Sequence, residues 1–166
     1  MSSFDRALGW LSLREHSEHE IRRKLKQKLV PVEEHEDVIA RLKASRFLDD
    51  TRFFDVRCRA LLHRRQGLMR IRQDLKSKGV LWNQARFEEL EFEVRGAGSS
   101  KETLQQLVEK KMRESRMKKL LAAPKSERDA RRKLENALLR TLVQRGFSVG
   151  ESLGAIKEWL KKNASA

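Results

Sequence analysis

With 166 residues and 39% apolar side chains, the chain is long enough for one or two globular domains with a real core, so disorder is not its default state. Its 38 Lys and Arg against 24 Asp and Glu leave a net charge of +14, an excess that points to a polyanionic partner, nucleic acid first and an anionic membrane surface second. There is no apolar run near the ~20 residues of a membrane span and no signal-peptide pattern in Met1 to Trp10, and the single Cys58 excludes an internal disulfide, so a cytoplasmic protein is expected.

Two prolines and eight glycines interrupt a chain rich in good helix formers, and periodicity marks about nine helices in three groups of three. Phe4, Ala7, Leu8 and Leu11 place one amphipathic helix over 4–14. Ser17 and Glu20 form a capping box that opens a second, in which the Ser17 hydroxyl accepts from the Glu20 amide and the Glu20 carboxylate reaches back to the Ser17 amide. Its apolar stripe is Ile21 and Leu25, and Pro31 stops it. A third, from Val32 to Ser45, buries Val38, Ile39 and Leu42. The second group begins where Asp49 or Asp50 can cap a helix with the stripe Phe54, Cys58, Leu61 and Leu62. A helix after Gly67 follows, with Leu68, Ile71 and Leu75 on one side. It ends at Lys78-Gly79-Val80, a Schellman pattern with Gly79 at C′ and Val80 closing over Leu75. The next runs from about Trp82 to Val94 and buries Phe87 and Leu90. Residues 96–100 form the clearest linker. In the third group a helix from Lys101 to Leu121 precedes Pro124. A helix from Ser126 to Gln144 ends at Arg145-Gly146-Phe147, and the last, near Glu151 to Lys162, turns Ile156, Trp159 and Leu160 inward.

A repeat underlies this order. A shift of 50 residues superposes Ile21, Arg22, Leu25, Lys26 and Lys28 on Ile71, Arg72, Leu75, Lys76 and Lys78, and a further 67 brings Leu138, Leu142 and Arg145 into register. The fold expected is therefore all-α: three tandem three-helix units like helix-turn-helix repeats, over 1–48, 49–96 and 101–163, stacked into an elongated molecule.

Charge follows the repeat. Arg22 and Lys26 project about 100° to 140° from Ile21, and Arg72 and Lys76 project identically from Ile71. Arg23, Arg70 and Lys78 lie nearby, while Arg41 stands isolated. The third helix of each of these units is acidic, with Glu33, Glu34, Glu36 and Asp37 in one and Glu88, Glu89, Glu91 and Glu93 in the other. The pattern reads as a basic ridge facing a partner. Residues 99–166 hold +9 of the charge, in a second cluster of Lys110, Lys111, Arg113, Arg116, Lys118, Lys119, Arg128, Arg131, Arg132 and Lys133. No aromatic interleaves it, so phosphate or acidic-protein contact is expected rather than base stacking.

Catalytic and metal chemistry find little support. His16 and His19 are three apart, His35 and His63 are remote in sequence, and Cys58 sits on an apolar stripe, so no metal is expected. Helix capping accounts for Asp49-Asp50. There is no phosphate loop, serine elbow or Cys-x-x-Cys, and the Phe and Trp residues fall mostly on apolar stripes. A binding protein without cofactor is expected rather than an enzyme.

Four segments together carry a family resemblance: Ser17-Glu18-x-Glu20-x-Arg22-Arg23-Lys24-Leu25, Arg46-Phe47-Leu48-Asp49-Asp50-x-Arg52-Phe53, Gly67-x-x-x-Ile71-Arg72-Gln73-Asp74-Leu75-x-x-Lys78-Gly79-Val80, and Leu142-x-x-Arg145-Gly146-Phe147. In order and spacing the chain resembles the RecX regulatory proteins over most of residues 4–160. Asp74 stands where that family commonly has Glu. The resemblance implies tandem three-helix units and binding to the RecA recombinase filament on DNA. It implies restraint of filament extension, ATP hydrolysis, strand exchange and co-protease activity, and so a part in recombination, DNA repair and the SOS response. The protein is expected to act as a monomer whose own contact with single- or double-stranded DNA is weak and electrostatic.

Overall fold

The computed structural model describes residues 2–96, 99–114 and 126–163. Among the described residues there are nine α-helices and no strand: α1 (Ser3–Leu11), α2 (Glu18–Gln27), α3 (Val32–Ala44), α4 (Asp50–His63), α5 (Leu68–Ser77), α6 (Gln84–Arg95), α7 (Ser99–Arg113), α8 (Glu127–Gln144) and α9 (Val149–Asn163). Residues 45–49 separate α3 from α4, and 96–98 separate α6 from α7. By backbone proximity the chain forms two compact units, residues 1–60 with 72–90 and residues 61–71 with 91–166.

In the first unit α1, α2 and α3 pack on one another. The stripe residues Ile21, Leu25 and Leu42 are wholly buried, beside Ala7, Val38, Ile39 and Leu48. In the second, α7, α8 and α9 pack together around Leu104, Val108, Leu138, Leu142 and Ile156, with Phe147 and Ala155 closing the cluster. The expected stripe residues Ile21, Leu25, Leu42, Ile71, Leu75 and Ile156 are withdrawn from water, each fully buried Leu or Ile contributing about 1.5–3 kcal/mol, whereas Leu68, Trp159 and Leu160 are half-buried.

Five helices end the same way. The C″ amide reaches the C3 carbonyl from Val30 to Leu25, Phe47 to Leu42, Gln66 to Leu61, Val80 to Leu75 and Phe147 to Leu142, at 2.9–3.2 Å. Each is a Schellman motif with a left-handed C′ residue. Glycine fills that place at Gly79 and Gly146, as expected, whereas Leu29, Arg46 and Arg65 hold φ of +54° to +57°. Leu29 is 90% exposed, so its side chain gains no burial for the left-handed strain. Leu29→Gly is accordingly expected to raise stability by about 0.5–1 kcal/mol, read as a higher urea midpoint. A lower midpoint would show that the exposed leucine stabilises this turn.

Several boundaries differ from the sequence expectation. The first helix is capped by Ser2, which forms a reciprocal capping box with Asp5, and it stops at Leu11 rather than at 14. At α2 only half of the expected box exists: Ser17 Oγ accepts from the Glu20 amide at 3.2 Å, but the Glu20 carboxylate turns to Arg14 and Lys78. Two cations offer this buried carboxylate more than a backbone amide can. Asp49 caps α4 by accepting from the Thr51 amide at 2.8 Å. Asp50 serves another helix, accepting from the Glu18 amide at the start of α2, also at 2.8 Å. Phe92 is 65% exposed, so not every aromatic is core. Residues 115–121 of the expected long seventh helix, and Pro124, lie outside the described residues.

Candidate polyanion-binding surface

The basic flank of α2 follows from its buried stripe. With Ile21 and Leu25 inward, Arg22, Arg23 and Lys26 are carried toward water. Arg22 is the least free. Its Nε donates to Glu18 at 2.8 Å and its Nη2 to Glu36 at 3.0 Å, and Lys43 pairs with the same Glu18. Hydrogen bonds to Glu36 and then Glu18 hold the guanidinium firmly charged. Arg23 and Lys26 are exposed and have no partner among the described residues. One acid of the third helix therefore ties down one member of the basic flank, leaving the other two to solvent.

On α5, Arg72 lies over the ring of Trp82, 5.1 Å from its centroid. That ring is itself held against Phe54 and Phe87, with centroids 5.8 and 4.9 Å away. A guanidinium on an aromatic shelf is pre-oriented without being neutralised. Trp82 thereby supplies a positioning role that a reading of it as core does not capture. Lys76 is exposed and has no partner among the described residues. Lys78 is occupied, its Nζ 2.9 Å from Glu20 Oε1. Arg70 is exposed and unpaired in the second unit, and Arg41, isolated in sequence, pairs with Asp37 and covers Phe4.

The second cluster is largely laced by pairs within its own helices. Lys111 meets Glu114, Arg113 meets Glu109, Arg131 meets Glu135 and Arg132 meets Asp129. Such exposed i,i+3 and i,i+4 pairs contribute a few tenths of a kcal/mol each. Lys110, Arg128 and Lys133 are exposed. Arg116, Lys118 and Lys119 lie outside the described residues.

A junction that sequence reasoning missed organises the first unit. The C-terminal end of α5 abuts the N-terminal end of α2, where Ser17 Oγ donates to the Lys78 carbonyl at 2.7 Å. Glu20 is 2% exposed and accepts from Arg14 at 2.9 and 3.1 Å and from Lys78. Burial alone would raise its pKa, but the Arg14 and Lys78 hydrogen bonds outweigh this and bring it to about 2. A Cβ on Gly79 would stand 2.7 Å from the His19 Cβ, so glycine here permits both the turn and the close approach.

The second unit repeats the junction between α8 and α5. The Gly67 amide donates to the Arg145 carbonyl at 2.7 Å and the Met69 amide to the Gly146 carbonyl at 3.0 Å. A Cβ on Gly67 would lie 2.4 Å from the Gly146 backbone, and one on Gly146 would lie 2.4 Å from the Arg70 amide nitrogen.

Two groups suited to covalent or acid-base chemistry, Cys58 and His16, are withdrawn, whereas His19 and His63 are exposed. Cys58 is wholly buried, and burial first, then Asp55 and Asp74, push its thiol up to about 12, far from a reactive thiolate. His16 is buried with Nδ1 on the Arg14 carbonyl, and burial, the largest influence, holds its pKa below the ordinary value. Among the described residues no three His, Cys, Asp or Glu side chains gather as a metal would require, and no helix is long and apolar enough to cross a membrane.

Comparison with known proteins bears on what such a surface serves. Residues 4–42 match the family model described as RecX, first three-helix domain. The chain is 40% identical over 80 residues to the regulatory protein RecX of Mannheimia succiniciproducens, covering 48% of this chain and 52% of that protein. It is also 40% identical over 80 residues to that of Prosthecochloris aestuarii, covering 47% and 52%. The match thus spans about half the length of these curated relatives. In backbone the chain is similar to the crystal structure of RecX from Lactobacillus salivarius, with a TM-score of 0.68 over 96% of this chain and 95% of that one at 19% identity. A second RecX crystal structure gives 0.66 over 97% and 70% at 22% identity. At these identities the structural likeness speaks for the all-helical fold.

Proposed function

We propose that the chain, whose first three-helix domain matches the RecX model and about half of which is 40% identical to regulatory RecX proteins, binds the RecA filament on DNA and restrains filament extension, ATP hydrolysis, strand exchange and co-protease activity. The observation that carries the reading is the exposed basic flank, repeated in register on α2 and α5 beside the same buried Ile and Leu. Lys26 and Lys76 project free, Arg23 adds to the first set, and Arg72 is held ready on Trp82. A filament is a repeating surface that bears polyanion. A repeated ridge can make several weak contacts with it at once, each raising the effective concentration of the next.

The direct test is whether the protein lowers RecA's DNA-dependent ATP hydrolysis at substoichiometric ratio. Reversal of Arg72 and Lys76 to Glu leaves the buried stripe intact and is expected to raise the concentration needed for half-inhibition by roughly tenfold or more. Reversal of the exposed Lys157 and Lys161 on α9 changes net charge equally and serves as the control. Equal inhibition by the Arg72/Lys76 variant and wild type at one salt concentration would remove the ridge from the mechanism.

A second reading, sequence-nonspecific nucleic-acid binding that needs no recombinase, is favoured by the +14 charge and by the likeness of three-helix units to helix-turn-helix modules. Both readings include an electrostatic contact with naked DNA, whose affinity falls steeply as salt rises. They part on RecA-coated DNA, which the first binds more tightly than naked DNA at physiological salt and the second does not.

A further inference from the structure

The two junctions occupy positions related by the sequence repeat, one closed by the Ser17 hydroxyl and the other by the Gly67 and Met69 amides, and they differ in charge. In the first unit, Arg14, Glu15, Glu20 and Lys78 surround it. Glu20 binds Arg14 and Lys78, and Glu15 binds Arg52 at 2.7 Å. The 50-residue shift carries Arg14, Glu15 and Glu20 onto Arg64, Arg65 and Arg70, and the further 67 carries Lys78 onto Arg145. Both acids have become arginine. With Arg52 counted at the first junction, and at the second its shifted counterpart Glu102, which lines one cavity with Arg65, a net charge of +1 has become +3.

Those four arginines meet in the second unit. The Arg145 Nη1 donates to the Arg64 carbonyl at 3.2 Å, and Arg65 is the left-handed residue that follows. The Gly67 amide donates to the Arg145 carbonyl, and the Cβ position of Gly146 falls 2.3 Å from the Arg70 Cβ. Arg64, Arg65 and Arg70 are exposed and Arg145 half-buried. Among the described residues none of the four has a carboxylate partner.

Folding does not account for this charge. The junction is closed by backbone hydrogen bonds from the Gly67 and Met69 amides, and those need no guanidinium. Arg64 and Arg65 follow the C-terminal end of α4, where positive charge is welcome. Arg70 sits in the first turn of α5, where the helix dipole favours an acid, and its counterpart Glu20 is one. Four like charges around one helix junction repel each other in the free protein, and a bound anion relieves the repulsion.

We infer that Arg64, Arg65, Arg70 and Arg145 form a binding site for the phosphodiester backbone of nucleic acid. A nucleic-acid backbone, with one charge per about 1.7 Å of duplex, offers closely spaced anions to all four forks, whereas a single protein carboxylate engages one fork. The inference rests on the electrostatic DNA contact proposed above and gives it a place within the second unit.

The first unit supplies the test variant. Arg65→Glu with Arg70→Glu restores the acidic positions of the first junction, and Arg70→Ala with Arg145→Ala removes charge without adding acid. Binding of a labelled single-stranded oligothymidylate is measured across a salt series by anisotropy, with unfolding curves confirming that each variant folds. Both variants are expected to lose about tenfold or more in affinity at low salt, and the slope of log K against log salt is expected to shrink by about 1.4 or more, some 0.7 per lost phosphate contact. The Lys157→Glu and Lys161→Glu control is expected to stay near wild type. If wild type itself does not bind the oligonucleotide, the DNA contact falls and the site with it. If wild type binds and the junction variants bind equally, or the control loses as much as they do, the site alone falls. Normal oligonucleotide binding with lost binding to RecA-coated DNA would assign the arginines to an acidic protein surface and overturn the nucleic-acid inference.

Discussion

Gly146→Ala is expected to destabilise the protein by about 3 kcal/mol, the sum of a left-handed alanine and an overpacked contact. Gly146 holds φ of +91°, and its missing Cβ would lie 2.3 Å from the Arg70 Cβ and 2.4 Å from the Arg70 amide nitrogen. Backbone atoms cannot swing aside as a side-chain tip can, so relief requires the α8 end to withdraw from α5. That withdrawal stretches the Gly67-to-Arg145 and Met69-to-Gly146 hydrogen bonds. Gly96 provides the comparison: it too has positive φ, at +68°, but a Cβ there meets open space. Gly96→Ala should therefore cost only the conformational part, about 1 kcal/mol. Urea unfolding of the two variants separates turn geometry from close approach. Equal losses would show that the junction does not press on Gly146.

Glu20→Gln should cost about 2–3 kcal/mol at neutral pH, because it leaves Arg14 and Lys78 without their shared anion. Full loss of a buried pair would cost more, but Arg14 is 54% exposed and can turn to water. The pH dependence identifies the cause. The ordinary value for this carboxyl is 4.5 and the folded value about 2, so the folded state is favoured by keeping Glu20 ionised. That stabilisation is complete above pH 4.5, is lost as pH falls toward 2, and is absent below it. The stability gap between wild type and Glu20→Gln should close over that same window. A gap constant from pH 7 to pH 2 would mean that Glu20 acts through packing and not through charge.

The residues that announced themselves in the sequence did so through local physics. Gly79-Val80 and Gly146-Phe147 specify a left-handed turn and an apolar clamp within six residues, and both endings stand as expected. The stripes Ile21/Leu25 and Ile71/Leu75 needed only a 3.6-residue period. The identical turns at Leu29, Arg46 and Arg65 gave no such sign, because their residue types carry no preference for positive φ. The destination of Glu20 was hidden for another reason. Its side chain satisfies the rule for a capping box, and only the arrival of Lys78 from 58 residues away makes burial against two cations the better arrangement. Trp82 likewise reads as an apolar residue until Arg72 is seen on its face. The shift of 50 residues already paired Glu20 with Arg70. That pairing acquires meaning only when both positions are seen to border a helix junction.

The junctions also set a timetable for biosynthesis. The start of α2 leaves the ribosome first, yet the carbonyl that Ser17 grips belongs to Lys78, and the cation that neutralises Glu20 belongs to the same residue. At about 5–20 residues per second, the 61 residues from Glu18 through Lys78 take about 3–12 s to emerge. The start of α5 must then wait in turn for Arg145 and Gly146. The chain is made from its amino end to its carboxyl end, while the starts of α2 and α5 are each completed by a segment made later. Each newly made segment finishes the one before it, and premature termination leaves an unfinished helix end exposed to proteases.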